Sequence, residues 1–182
     1  AAAEAGSAAA SELFGVAATY GRDNPAAAAW LRGQSSALVK YINEDTRTYL
    51  RPGLAEGVQS GEPLVKLQDR VRAAFALGGD GEGLGLYAGR AQAIALTEVG
   101  SGYNWAANAD IEAASLNREW LSALLPTTRE DHAAAHGQVR APGQAFSLGG
   151  EACQHPGDAS LSAGQRIRCK CAVAATEKEE AL

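Results

Sequence analysis

Apolar residues recur at helical spacing through the first half of the chain. From Pro25 to Tyr49 they return about every 3.6 residues, with Pro25 in the first turn and Asn24 as the N-cap. The pattern predicts one helix that ends at Arg51-Pro52-Gly53.

Two further helices are predicted after this one. The segment Ser60-Gly61-Glu62-Pro63 has the form of a cap followed by a helix start, and the glycine-rich stretch 78–89 is typical of a helix–helix connection. A long alanine-rich helix follows over about 84–116, which we expect Gly100 and Gly102 to kink. The apolar stripe of the middle helix consists of Leu64, Leu67, Val71 and Phe75.

The pattern changes beyond Asn117. Proline and glycine pairs divide 120–182 into short segments, which favours short strands and tight turns around one small helix near 130–136. The last strand is predicted over 166–174.

The fold class predicted is therefore α+β, a helical N-terminal region followed by a compact module of short strands and a small helix. We divide the chain into an alanine-rich tail or docking segment, a helical region, an α+β module and a solvated acidic tail. Their limits are 1–24, 25–116, 117–175 and 176–182.

Charge and composition exclude several classes of protein. The 16 basic and 21 acidic residues give a net charge of −5, which argues against a constitutive nucleic-acid binder. No apolar run approaches the roughly 20 residues that a membrane helix needs. The odd number of cysteines, 3, without an export signal favours reduced thiols.

All histidines and cysteines of the chain fall between His132 and Cys171. Imidazole and thiolate are the ligands that zinc prefers, so a structural zinc site is one interpretation, although no C-x-x-C pair is present. The more common outcome is buried, small apolar cysteines and no cofactor. The candidate zinc ligands are His132, Cys153, His155, Cys169 and Cys171.

A reactive thiol is another interpretation of the same segment. Cys153 with His155 or His132 would form a thiolate–imidazole nucleophile, but the sequence shows no evident oxyanion element or orienting group.

Three basic residues lie in the last predicted strand. Arg166, Arg168 and Lys170 alternate, so an extended strand would place all three on one face. Such a row is either a solvated edge or a local contact with DNA phosphates.

A set of residues in order along the chain resembles the phage Mu F-like minor head protein family, which carries the phage head morphogenesis domain. The resemblance covers about 35–175. It rests on Ala95-Leu96-Thr97-Glu98-Val99, Asn104, Trp120, Thr128-Arg129, His132, Gly137, Phe146, Pro156-Gly157-Asp158 and Arg168-Cys169-Lys170-Cys171.

The resemblance implies a structural protein of a tailed phage and not an enzyme. Proteins of this family are minor capsid components at the portal vertex inside the head, and they act in head assembly, genome packaging or DNA ejection. The expected partners are the portal protein and other head proteins, with several copies around the portal and transient contact with packaged double-stranded DNA. The host cytoplasm is the expected location during assembly. A toxin-type or nucleic-acid-processing enzyme and a zinc-stabilised interaction module are the alternatives.

Overall fold

The computed structural model describes residues 23–34, 39, 43–78 and 89–177, which form two compact units. The boundary between the units falls inside one helix, between Tyr103 and Asn104. Helices occupy the first part of the chain and short strands the last part, so the predicted α+β class is confirmed.

The helical unit contains α1 (Pro25–Gln34), α2 (Glu44–Gln59), α3 (Leu64–Leu77) and the first half of α4 (Arg90–Ala113). Asparagine begins two of these helices: Asn24 Oδ1 accepts a hydrogen bond from Ala27 N at 2.8 Å, and Asn43 Oδ1 accepts one from Thr46 N at 2.7 Å. The apolar faces close a core whose largest fully buried members are Leu31, Leu50, Leu54, Val58 and Phe75.

The single helix predicted from Pro25 to Arg51 is wrong, because the structure has two helices there and the second continues through Pro52. A proline inside a helix costs about 3 kcal/mol. Leu50 and Leu54, on either side of it, are both 0% exposed, and burying one such side chain contributes about 1.5–3 kcal/mol. Packing of this face therefore outweighs the proline, which itself lies on the exposed side.

The predictions for the two later helices, α3 and α4, are closer to the structure. The stripe of α3 is as expected, with Leu67, Val71 and Phe75 buried. Helix α4 runs without interruption through Gly100 and Gly102, and a Cβ at Gly102 would lie 3.2 Å from Trp30 Cε3. The close approach of α1 to α4 thus explains why residue 102 is a glycine. The glycine stretch 79–88 lies outside the described residues, as do 1–22 and 178–182.

The C-terminal unit comprises 104–177 of the described chain. Its elements after α4 are β1 (Asn117–Leu121), α5 (Glu130–Ala134), β2 (Val139–Arg140), β3 (Phe146–Leu148), β4 (Glu151–Cys153), α6 (Ala163–Arg166) and β5 (Ala172–Thr176). The helix predicted near 130–136 is confirmed as α5.

Two small antiparallel sheets build this unit. One has the strand order β2-β1-β5, and the other is the hairpin β3-β4. Trp120 of β1 pairs with Val173 of β5 and lies edge-on to Phe146 at 5.5 Å between ring centroids. The core consists of Ala107, Ile111, Trp120, Ala135, Phe146, Leu148, Cys153, Leu161, Cys171 and Val173.

The end of the unit differs from the prediction. The strand predicted over 166–174 is wrong: Arg166 ends α6, and β5 begins only at Ala172 and extends to Thr176, the first residue of the predicted tail. Arg168 has a φ of 58°, a left-handed backbone that an extended strand does not contain. The compact unit extends back to Asn104, whose side chain is hydrogen bonded to the backbone of Cys171 and Val173.

A buried arginine, Arg118 of β1, connects several loops of this unit and is 0% exposed. Its guanidinium donates to Asn108 Oδ1 at 2.7 Å and to the carbonyl oxygens of Ala141 and Gln154 at 3.0 and 3.1 Å. It also forms an ion pair with Glu112 at 2.9 Å. Arg118 therefore fills part of the interior of this unit with a charged group that is held by directed hydrogen bonds.

Candidate metal centre

The imidazole of His132 lies in the interior of the C-terminal unit. Helix α5 is only 5 residues long and turns its one buried residue, His132, inward, leaving that side chain 2% exposed. The Trp120 ring packs against it edge to face, with centroids 6.2 Å apart and an interplanar angle of 72°. The contact with Trp120 thus orients the His132 ring, and in this orientation both ring nitrogens face polar groups.

Two cysteines meet the Nδ1 atom of this ring. Cys171 Sγ lies 3.3 Å from His132 Nδ1, and Cys169 Sγ lies 3.6 Å from it. The three atoms all lie within 4.8 Å of one another. We call these three residues the His-Cys-Cys cluster.

Backbone geometry brings the two cysteines to the cluster. The left-handed turn at Arg168 redirects the chain after α6. The side chain of Asn104 then holds the following segment, donating to Cys171 O at 3.0 Å and accepting from Val173 N at 3.0 Å. Cys169 and Cys171 therefore meet His132 from a loop fixed at both ends, not from one face of a strand.

The other imidazole nitrogen, Nε2, is held by an amide. Gln165 Oε1 lies 3.1 Å from His132 Nε2, and Gln165 Nε2 donates to Asp131 Oδ2 at 2.7 Å. Because an amide oxygen only accepts, Nε2 carries the proton in this contact and a neutral imidazole keeps its lone pair on Nδ1, facing the sulfurs. Such support from a second layer of residues is typical of histidines that bind metals.

A glycine leaves the space for this amide. Gly149, in the turn between β3 and β4, has a φ of 56°, and a Cβ there would lie 2.7 Å from Gln165 Nε2. A side chain at this position would therefore displace Gln165 as well as strain the backbone.

The two thiols of the cluster differ in acidity. The pKa of Cys171 is lowered, chiefly because the Cys169 thiol donates a hydrogen bond to its sulfur, against the opposing desolvation by burial. The pKa of Cys169 is raised, first because its thiol serves as that donor and second because of burial. As the pH rises, Cys171 therefore loses its proton first, and the pair carries one negative charge while Cys169 is still protonated.

Cys153 and His155, two of the five predicted zinc ligands, do not belong to the His-Cys-Cys cluster. Burial, with the charges of Asp158 and Glu151, raises the pKa of Cys153 to about 12, so its thiol stays protonated. The pKa of His155 is lowered, chiefly by burial, and its Nδ1 lies 3.1 Å from Pro156 O. A nucleophile built on Cys153 therefore lacks the thiolate that it needs.

The prediction that Arg166, Arg168 and Lys170 lie on one face of the last strand is wrong. Arg166 is 1% exposed, whereas Arg168 and Lys170 are exposed, and the three do not share a strand. DNA phosphates cannot reach a guanidinium buried to this degree. Arg166, Arg168 and Lys170 therefore do not form one exposed basic surface.

Several residues around the cluster were not predicted. Asp131 and Gln165 are 34 positions apart in sequence, and Ser122, whose Oγ lies 3.7 Å from Cys171 Sγ, is 49 positions from its cysteine. Nothing in local spacing connects such pairs. All three cysteines are free, which agrees with the expectation of reduced thiols.

Within the described ranges, the structure has no helix that is both long and apolar enough to cross a membrane. Comparison of the chain with protein-family models, curated proteins and solved structures finds no match.

Proposed function

We propose that the C-terminal unit is a zinc-stabilised module in which the His-Cys-Cys cluster binds the ion. The observation that carries the proposal is the convergence of His132 Nδ1, Cys169 Sγ and Cys171 Sγ within 4.8 Å. Imidazole and two thiolates form a ligand set that favours zinc over the harder magnesium and calcium ions.

The distances support this assignment. With Zn–S of about 2.3 Å and Zn–N of about 2.0 Å, sulfur and nitrogen ligands of a tetrahedral ion lie about 3.5 Å apart. The observed separations from His132 Nδ1 are 3.3 and 3.6 Å. The ion would connect α5 to the loop before β5, and it would keep both thiolates ionised at neutral pH.

Burial favours a structural over a catalytic role. His132 is 2% and Cys171 6% exposed, so a substrate has little access to the cluster. Three protein ligands leave one position of a tetrahedral ion for a water molecule or an outside ligand. The module is therefore proposed as a folding and interaction element, not as an enzyme.

One observation favours a second candidate, a thiol enzyme. His132 lies between Cys171 Sγ and Gln165 Oε1, at 3.3 and 3.1 Å, the order of groups found in a thiolate–imidazole–amide nucleophile. Cys169, at 3.6 Å from the same nitrogen, has no role in that mechanism but is a ligand in the zinc site.

Metal analysis of the purified full chain distinguishes the two candidates. We expect near one zinc per chain, and replacement by cobalt should give the intense sulfur-to-cobalt absorption of a two-thiolate site. Cys171→Ser and His132→Ala should lower the metal content, while the control Cys153→Ser should retain it. A metal-free protein whose Cys171 alone reacts stoichiometrically with iodoacetamide at pH 6 would instead favour the thiol enzyme.

For the whole chain, we propose the role of a structural minor head protein of a tailed phage. It would act at the portal vertex inside the capsid, in contact with the portal protein and other head proteins, during head assembly, genome packaging or DNA ejection. Support comes from the resemblance, whose residues Trp120, Phe146 and Cys171 pack together in one core.

Purified phage particles test this role. The full chain should be found in mature heads by mass spectrometry, in a few copies per head, and it should co-purify with the portal protein encoded beside it. Absence from purified heads would contradict the proposal without affecting the zinc assignment.

A further inference from the structure

A second buried arginine of the C-terminal unit has no acceptor on one edge. Arg166, at the end of α6, is 1% exposed, and its Nε and Nη2 atoms make no hydrogen bond with any residue that the structure describes. Arg118, equally buried, donates from both of its Nη atoms and forms an ion pair with Glu112. Arg118 therefore lacks a partner only at Nε, whereas Arg166 has two adjacent nitrogens, Nε and Nη2, without a partner among the described residues.

The two open donors lie side by side. Nε–H and one Nη2–H point in parallel from the same edge of a guanidinium, which matches the two oxygens of a carboxylate or phosphate. Arg70 of the helical unit uses the same two atoms to hold Glu62, at 2.7 and 2.9 Å. Arg166 thus presents the same edge without its anion.

The charged groups around His155, the residue that interacts electrostatically with Arg166, are engaged elsewhere. Asp158, the acidic group beside His155, accepts hydrogen bonds from Gln154 N at 2.7 Å and Ser160 N at 2.9 Å instead. His155 is close enough to Arg166 for their charges to interact, and its Nδ1 is engaged with Pro156 O. A charge at this depth without a counter-ion is strongly unfavourable, so an external acceptor has a large energetic reason to bind.

We propose that Arg166 forms a binding site for one small oxyanion, held in bidentate fashion by Nε and Nη2. The shared chemistry is a pair of oxygens on one negatively charged group, as in inorganic phosphate or a short carboxylate. The 1% exposure of Arg166 excludes the backbone of duplex DNA as the ligand.

Thermal unfolding of the full chain tests the proposal with inorganic phosphate and with acetate, each against chloride at matched ionic strength. An anion that binds the folded state raises the melting temperature in proportion to the logarithm of its concentration. Well above the dissociation constant, each tenfold increase should raise it by roughly 3–6 °C. Phosphate and acetate arms show which oxyanion the site prefers, and zinc content is measured after each titration.

Matched variants test whether Arg166 is the residue that binds the anion. Arg166→Lys keeps a positive charge but loses the parallel donors, and Arg166→Met removes the charge, so both should lose the anion-dependent rise. The control Arg72→Met removes an exposed arginine that pairs with Asp69 at 2.7 Å, and its response to phosphate should equal that of the unmodified chain.

A measurement on the unmodified chain guards against variants that fail to fold. In ¹⁵N NMR, phosphate should shift an arginine Nε–H resonance that is absent from the Arg166→Lys spectrum, or, if that variant does not fold, should shift one slowly exchanging Nε–H signal. No Nε–H shift and no rise in melting temperature with either anion would overturn the proposal and indicate that water alone occupies this edge.

Discussion

The two units exclude water by different means. In the helical unit, apolar stripes face one another, and Leu50, Leu54 and Phe75 are at most 1% exposed. Among the described residues each unit also buries five polar or charged residues, but in the C-terminal unit four of the five are arginine or histidine: Arg118, His132, His155 and Arg166. Short strands alone supply too little apolar surface there, so directed contacts complete the interior.

The difference predicts how each unit responds to change. Apolar packing is non-directional, so losing one side chain removes its own contribution and leaves a cavity. A buried hydrogen-bond network behaves differently, because removal of one member leaves its partners unsatisfied. We therefore expect graded losses in the helical unit and abrupt ones in the C-terminal unit.

The largest effect is expected from loss of zinc. Chelation, or Cys169→Ser together with Cys171→Ser, should unfold the C-terminal unit, because a structural ion contributes on the order of the 5–15 kcal/mol that stabilises a whole domain. Hydrogen exchange should then show loss of protection in β1 and β5 but not in α2 and α3. Cys153→Ser should leave this pattern unchanged, and an unaffected C-terminal unit after complete chelation would contradict the difference between the units.

The second effect concerns the buried network of Arg118. Arg118→Met keeps much of the apolar stem but leaves Glu112 and several carbonyl oxygens without their donor, which should destabilise the C-terminal unit by about 3–5 kcal/mol. Urea denaturation followed by hydrogen exchange measures the loss. Arg140→Met, in the neighbouring strand and only partly buried, is the control and should cost much less. Equal losses for the two variants would show that Arg118 acts only by packing.

The third effect lies in the helical unit and should be graded. Leu67→Ala removes a side chain that is 4% exposed and should cost about 2–5 kcal/mol. Leu77→Ala changes the same residue type in the same helix at 66% exposure and should stay within about 0.5 kcal/mol. Urea denaturation measures both, and similar losses at the two positions would contradict the packing of α3 described here.

The smallest effect is a helix cap. Asn43→Ala removes the acceptor for Thr46 N and the donor to Gly78 O, at 2.7 and 2.6 Å, and should cost about 1 kcal/mol. Asn43→Asp retains the acceptor and should recover part of that loss. If Asn43→Asp were as unstable as Asn43→Ala, the contact with Gly78 would matter more than the cap.

Local signals explain which parts of the helical unit the sequence predicts. The stripe of α3 and the cap at Asn24 depend on neighbours within one or two turns, so periodicity and capping chemistry are sufficient. The break between α1 and α2 and the helical Pro52 depend on tertiary packing, which a single sequence does not display.

The candidate site shows the same limit. Clustering of histidine and cysteine predicts that some of them meet, yet spacing cannot distinguish Cys153 and His155 from the cysteines that reach His132. That choice depends on the left-handed Arg168, on the register of β1 with β5 and on Asn104, which contacts a segment 67 residues away. Burial of Arg166 likewise follows from the short helix α6 replacing the expected strand.

Gly149 has a consequence for the evolution of this chain. A side chain here would strain the left-handed backbone and would shift the side-chain ends of Asp131 and Gln165, which a Cβ would approach to 2.4 and 2.7 Å and which support His132. Natural selection would then act on this turn as well as on the cysteines, even though glycine has no chemistry of its own. In descendants that lose the cysteines, the constraint from Gln165 disappears and only the left-handed backbone still favours glycine at position 149.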